Sequence, residues 1–504
     1  MVGRAQAAPD SSPLDGPVAI GLPIEVCFKI ATNQIETMDI APSLAADEEL
    51  PLVVDLDHTL VRTDTLHEQA VRMVFRAPQA IPGTIAALTR GRAALKAYVA
   101  DYIELDPEAL PFREDLLRFI RAEKAKGRTI VLCTAATGHV AESIGAHLGL
   151  FDTVIASDGT GNLKGKAKAG RLQAEFPRGF VYAGDSGADL AVWQVASGIV
   201  LVGVSSMVAR RARRLDRPVL IEFGHHDADK KPRSTLNIWA KALRVHHWSK
   251  NGLMLVPLIL AHLWGDIGAL TRTLTGLVLL LVVTSSSYLI NDLSDLDADR
   301  KHWTKRLRPL ASGAIPILQG TLVACLALPM ALLCGFLLSL DFGLALSAYL
   351  IITLAYSFGL KRIPLLDTFI IAVLFTTRLI MGMALLQQPY SEWLVTFSMF
   401  FFFSLALAKR HVEVLRSKEF GDGSLKTRGY VPEDAGLTLA LGVAGGIGSL
   451  VIMVLYLVED ALRRETYTHP VFLWLLPLAL MYGPAAFHNG FGAVTEVAHM
   501  YPAY

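Results

Sequence analysis

The chain has 504 residues, 52% of them hydrophobic and 18% charged, with a mean hydropathy of +0.42. That is too apolar for a wholly soluble protein of this length. A formal net charge of +1 offers no field to gather nucleic acid, and Cys27, Cys133, Cys325 and Cys334 lack the paired spacing of a zinc site or a disulfide framework.

Residues 1–48 show no clear period and are expected to form a poorly ordered extension, with Ile24 to Ile30 as its candidate strand. The first residues lack the apolar core of a signal peptide, so the N-terminal half is expected to stay in the cytoplasm. PLVVDLD, residues 51–57, is an apolar run ending in acids, as a buried parallel strand does. A polar, helix-prone stretch runs from Leu66 to Leu110, and LLRFIRAEKAKG reads as an amphipathic helix closed by Gly127. RTIVLCTAA and FVYAGDSGAD supply two more strands. Strands alternating with helices predict a parallel sheet covered on both faces, with ligands at the strand ends. A polar linker over 229–240 separates this α/β domain, 49–228, from the apolar C-terminal half.

From 241 to 504 the composition predicts an all-α polytopic bundle. Apolar runs near 252–268, 270–290, 318–340, 342–360, 365–386, 391–408, 436–458 and 471–488 are long enough to cross a bilayer, the first only barely. Eight or nine spans are expected. If eight alternate, the basic loops DLSDLDADRKHWTKRLRP, LKRIP and AKRHVEVLRSKEFGDGSLKTRG share a side with KALRVHHWSK, which the positive-inside rule assigns to the cytoplasm. EDALRRET, with two arginines on the other side, weakens that assignment.

Two acid motifs carry the chemistry. In Asp55-Leu56-Asp57-His58-Thr59, carboxylates at i and i+2 cannot be aimed together by regular β geometry, so the turn after the strand must re-aim them. Asp55 is placed to attack phosphorus, and Asp57 to protonate the leaving oxygen and later take a proton from water. A carboxylate nucleophile facing a phosphoryl dianion requires a metal, and Mg²⁺ with oxygen ligands suits it. Asp185 and Asp189 of Gly184-Asp185-Ser186-Gly187-Ala188-Asp189 add ligands to Asp55 and Asp57, and Thr134 offers a hydroxyl to phosphate. A lysine is needed for charge balance; Lys168 is preferred, though spacing does not separate it from Lys164 and Lys166. Together these four motifs resemble the HAD phosphohydrolase superfamily over about residues 50–225. The resemblance implies a Rossmann-like domain, an aspartyl-phosphate mechanism and a small helical cap over about 64–110.

The second motif, Asn291-Asp292-Leu293-Ser294-Asp295-Leu296-Asp297-Ala298-Asp299, comes directly after an apolar span. Asp292, Asp295 and Asp299 stand at i, i+3 and i+7 on one helical face, with Asn291 beside them. Acids there repel unless a cation lies between them, and Mg²⁺ bridging them to a diphosphate answers this. Asp297 is expected to point away into solvent. NDxxDxxxD resembles the first aspartate-rich motif of the UbiA prenyltransferase superfamily, and the likeness covers about residues 237–490. It implies a helical bundle whose cavity opens to the cytoplasm, with Asp292 and Asp295 acting through Mg²⁺ on a diphosphate leaving group.

Three features resemble the decaprenyl-phosphate phosphoribosyltransferase branch: Arg244-Val245-His246-His247-Trp248-Ser249-Lys250-Asn251, HWTKRLRPLASGAI, and Tyr356-Ser357-Phe358-Gly359-Leu360-Lys361-Arg362 with Asp367. Where aromatic prenyltransferases carry a second DxxxD, this chain has Ala408-Lys409-Arg410-His411-Val412-Glu413. Cations there suit a substrate with extra phosphate. Lys250, Tyr356, Lys361, Arg362, Lys409 and Arg410 are therefore candidate phosphate-binding residues, with positive-inside anchoring as the competing reading of the loop cations. The expectation is a bacterial inner-membrane enzyme with both sites cytoplasmic. It would use Mg²⁺, phosphoribosyl diphosphate and polyprenyl phosphate, and its soluble domain would remove the product's 5-phosphate or hydrolyse diphosphate. Prenyl transfer to an aromatic acceptor is the alternative.

Overall fold

The computed structural model describes residues 50–157, 163–224, 234–386, 390–420 and 428–456. The strand expected at Ile24 to Ile30, the loop EDALRRET and the span expected at 471–488 lie outside them.

Apolar runs too short for a stable helix pair side by side where both faces are covered. β1 (Leu52–Val54) is wholly buried and leads through a turn to α1 (Thr65–Arg76), α2 (Ile81–Thr89) and α3 (Arg92–Tyr102), the three helices over the stretch expected as a cap. Then come α4 (Glu114–Ala125), β2 (Ile130–Thr137), α5 (Gly138–Leu148), β3 (Thr153–Ser157), α6 (Lys166–Glu175), β4 (Val181–Gly184), α7 (Leu190–Trp193), β5 (Gly198–Val202), α8 (Ser206–Ala212) and β6 (Val219–Phe223). All pairings are parallel, in the order β3-β2-β1-β4-β5-β6. One face packs Leu52, Val54 and Leu132 against α4 and α5; the other packs Val53, Val131 and Tyr182 against α6 and Trp193. β1 and β4 are adjacent and in register, so the acids after each strand emerge side by side at one edge.

Residues 235–240, expected as linker, belong to a helix, α9 (Thr235–Ala242). The span expected at 252–268 is instead a 3-10 stretch, Val245–Leu255, leading into the short α10 (Val256–Leu260). Pro257 cannot donate to the preceding turn and His262 adopts φ 55, so no continuous helix forms there. α11 (Ile267–Ser294), α12 (Leu296–Lys301), α13 (Ile317–Leu338), α14 (Leu340–Phe358), α15 (Leu366–Leu386), α16 (Glu392–Phe420) and α17 (Ala435–Tyr456) complete the described bundle. Six helices are long and apolar enough to cross a membrane: α11, α13, α14, α15, α16 and α17. This is an integral membrane protein with six candidate spans among the described residues, where eight or nine are expected from sequence.

The two halves share a core. Val71 of α1 is buried with Leu289, Leu293, Leu296, Leu310 and Ile315. Phe75 packs on the same cluster, with its ring 6.1 Å from that of Phe358 at the end of α14.

Candidate active sites

At the end of β1 the chain turns tightly: Leu60 N–H donates to the Asp55 and Leu56 carbonyls, and His58 takes φ 59. This turn re-aims both acids. Asp55 Oδ1 accepts from Lys168 Nζ at 2.8 Å. Asp57 turns the other way, its Oδ1 accepting from Thr65 N at 2.8 Å, the first amide of α1. Lys168 is 3% exposed and also donates to Cys133 O at 3.1 Å, while Lys164 and Lys166 are exposed. Tyr182 links Lys168 Nζ (3.0 Å) to Asp189 Oδ1 (3.0 Å). Asp189 Oδ2 accepts from the Asp185 and Ser186 amides and the Ser186 hydroxyl, which holds the loop after β4 in place. Thr134 is fully buried, its hydroxyl accepting from Ala136 N.

Carboxylate oxygens of Asp55, Asp185 and Asp189 lie within 4.8 Å of one another, the one such cluster of acids among the described residues. Asp57 is outside it. Burial, then Asp189 and Asp55, push Asp185 up to about 8. Burial also raises Asp55, against the pull of Lys168. Burial, then Asp64, pushes Asp57 up to about 7. Burial opposes the Lys168 ammonium, but Asp55, Cys133 and Asp189 more than offset that and hold it above the usual lysine range. Three crowded oxygen donors, two of them (Asp55 and Asp185) with their carboxyls raised, match the chemistry of Mg²⁺ coordination.

The second acid motif spans the break between α11 and α12 at Asp295. Asp292 and Asp299 are 4% and 2% exposed. They are joined by Arg308, whose Nη1 donates to Asp292 Oδ1 at 3.2 Å and Asp299 Oδ2 at 2.5 Å. Arg244 Nη2 adds a contact to Asp292 Oδ1 at 2.6 Å and lies over the Tyr288 ring. Asp295 accepts from Asn291 Nδ2 at 3.2 Å. The donor set is all oxygen and fits Mg²⁺ by type, but arginines stand among the acids, which spacing along the helix does not reveal. In the sequence Arg308 is only one cation of a basic juxtamembrane run.

The other candidates divide. Lys250, Arg362 and Lys409 are exposed, and Tyr356 and Lys361 half-buried. Lys250 has Lys409 and Arg378 as like-charged neighbours. Arg410 departs from the expectation of a free phosphate ligand: it is 1% exposed, bound to Asp367 Oδ2 at 2.7 Å and to Glu413, with Tyr430 donating to Asp367 Oδ1 at 2.6 Å. That set ties α15 to α16. Arg378 bonds Asn251 Oδ1 and Tyr349 hydroxyl, each at 2.9 Å, inside the bundle.

Asp297 is not solvated as expected. It receives Arg72 Nη2 at 2.5 Å and Arg76, both from α1. Beside it Arg300 grips Glu68 at 2.6 and 3.1 Å and donates to Ala109 O and Ala311 O. Lys301 meets Asp106 at 2.8 Å. Partners this far away in the chain leave no trace in the spacing along one helix.

Residues 253–486 match the UbiA prenyltransferase family and residues 52–194 match haloacid dehalogenase-like hydrolases. Protein y4nM of Sinorhizobium fredii, described as uncharacterized, is 41% identical over 456 residues, 90% of this chain and 86% of that protein. A decaprenyl-phosphate phosphoribosyltransferase of Mycolicibacterium smegmatis is 31% identical over 196 residues, 38% of this chain and 61% of that protein, so the chain spans about three fifths of that relative. The structure of a UbiA homolog from Archaeoglobus fulgidus bound to DMAPP and Mg²⁺ superposes with a TM-score of 0.39 at 16% identity, over 50% of this chain and 86% of that one. The chain thus carries a UbiA prenyltransferase family domain over residues 253–486, with a haloacid dehalogenase-like hydrolase domain over residues 52–194 on its N-terminal side.

Proposed function

We propose that this is a bifunctional membrane enzyme. It moves a 5-phosphoribosyl group from phosphoribosyl diphosphate to polyprenyl phosphate, then removes the 5-phosphate to leave polyprenyl-phosphoryl ribose. The observation that carries the first half is the mixture of charges at the inner end of α11. Buried Asp292 and Asp299 are interleaved with Arg244 and Arg308, and Lys250 and Lys409 are neighbours nearby. Acids suit a metal–diphosphate; added cations suit further phosphates. The name of the M. smegmatis relative points the same way.

Mg²⁺ bound by Asp292, Asp295 and Asp299 would supply the charge that eases diphosphate departure. Arg244 and Arg308 keep the acids together and present donors to phosphate oxygens. A lipid phosphate oxygen attacks the anomeric carbon as its bond to diphosphate breaks, and no protein base is required because that phosphate is already ionised. In the hydrolase domain Asp55 attacks phosphorus, Asp57 gives its proton to the departing 5-oxygen, and Asp57 then takes a proton from the water that splits the aspartyl phosphate. Asp55, Asp185 and Asp189 would hold Mg²⁺, and Lys168 orients the nucleophile. Both sites are proposed to face the cytoplasm at the bacterial inner membrane, on the side of the basic loops.

The test is transfer of radiolabelled ribose from phosphoribosyl diphosphate to polyprenyl phosphate in membranes with Mg²⁺. Asp292→Ala should abolish transfer. Asp55→Asn should leave transfer intact and accumulate the 5-phosphorylated lipid. Wild-type membranes that fail to transfer ribose, yet prenylate an aromatic acid from a prenyl diphosphate, would replace this reading with aromatic prenyl transfer.

A further inference from the structure

Helix α1 has one end at the hydrolase acid and one side against the acid motif of the membrane domain. Its first amide donates to Asp57 Oδ1 at 2.8 Å. Seven residues later, roughly 10 Å along the helix, Arg72 is bound to Asp297 at 2.5 Å. Between them Glu68, fully buried, is held through both oxygens by Arg300. The Arg300 side chain is 5% exposed, and its remaining donors reach the carbonyls of Ala109 and Ala311, one on each side of the interface. Charges desolvated this far hold only where their geometry is satisfied, so the contact fixes the rotation and height of α1 rather than gluing two surfaces loosely. Val71 and Phe75, on the same helix, enter the core built by Leu289, Leu293 and Leu296. The amide that anchors Asp57 therefore sits on a helix whose position is set by the membrane domain.

We propose that Asp297 and Arg300, residues of the membrane domain, are positioning residues for Asp57 of the hydrolase site, acting through α1. The proposal rests on the hydrolase half of the function above. Its consequence in the acid step is read by kcat/KM, which ends at departure of the leaving group; the later water step, in which Asp57 takes a proton, is common to every ester. If α1 shifts, Asp55 keeps Lys168 and still attacks phosphorus, but the proton reaches the leaving oxygen less well. In that first step, esters whose leaving group needs the proton suffer; those that depart as stable anions do not.

The experiment uses the full-length chain in nanodiscs with Mg²⁺ and compares phenyl phosphate with p-nitrophenyl phosphate. Asp297→Asn leaves Arg72 paired with Glu68 at 3.2 Å, so the fold is kept. It should lower kcat/KM on phenyl phosphate about tenfold, and on p-nitrophenyl phosphate by less than about twofold. Asp297→Glu should restore phenyl phosphate hydrolysis. Arg300→Lys, which cannot reproduce the two-pronged grip on Glu68, should act like Asp297→Asn. Equal losses of kcat/KM on both esters, or no loss on either, would overturn the proposal. A wild-type chain that hydrolyses neither ester would overturn the hydrolase reading and this inference with it.

Discussion

Asp57 stands two residues from Asp55, yet the turn at His58 sends it to a different partner and a different role. Asp55 is held by the buried Lys168 ammonium, whereas burial and the Asp64 carboxylate push Asp57 up to about 7. A general acid works only while protonated, so phenyl phosphate hydrolysis should fall as pH rises through about 7, and an Asp57→Asn chain should be slow at every pH. The measurement is kcat/KM against pH for both; an alkaline limb near pH ~4, the ordinary carboxylate value, would show that burial does not hold the proton on this acid. The same scale explains why Lys168 and not Lys164 or Lys166 joins Asp55: it sits in the first turn of α6 on the face turned towards β2, where the Cys133 carbonyl and Tyr182 hydroxyl take its remaining donors.

At the scale of elements, the membrane bundle depends on close approaches that small residues permit. A β-carbon built on Gly382 of α15 would strike the Met254 carbonyl oxygen and come within 3.1 Å of Pro257 Cγ. That contact seats the 3-10 stretch Val245–Leu255, which delivers Arg244 to Asp292 and Asn251 to Arg378. Gly382→Leu should therefore push the stretch away from α15 and cost on the order of 1–3 kcal/mol, in the range of overpacked interiors. It should also weaken ribose transfer without touching phenyl phosphate hydrolysis. A lowered melting midpoint in detergent with both activities preserved would mean that the stretch moves without disturbing Arg244.

For the whole molecule, the contact between α1 and α12 fixes which side of the membrane the hydrolase domain occupies, because Asp297 and Arg300 belong to the region just after α11. The basic loops after α11, α14 and α16 fall on one side if the described spans alternate. The hydrolase domain should accordingly be shielded in intact bacterial cells and digested in inverted vesicles. Cysteine labelling at exposed Lys164→Cys reads this directly, and labelling from the periplasmic side would reverse the proposed orientation. Joining the domains through buried ion pairs does more than tether them. A tether raises the effective concentration of one site's product at the other; a shared core also fixes their mutual geometry.

Local pattern determined a large part of this protein. Runs of apolar residues define the six candidate spans among the described residues, α13 even with Pro329 inside it, and β1, β2 and β4 are legible because strands buried on both faces are continuously apolar. Asp55, Asp185 and the acids of the α11–α12 region are legible for the same reason: each motif lies within a few residues of the element that presents it. β3 and β6 are less so, since edge strands with mixed exposure lose that signature. Tertiary structure alone decided the partners. Lys168 reaches Asp55 from 113 residues away, Arg378 reaches Asn251 across 127, and Arg72 reaches Asp297 across 225. Charge in the chain specifies that a partner must exist once a group is buried; only packing determines which group arrives.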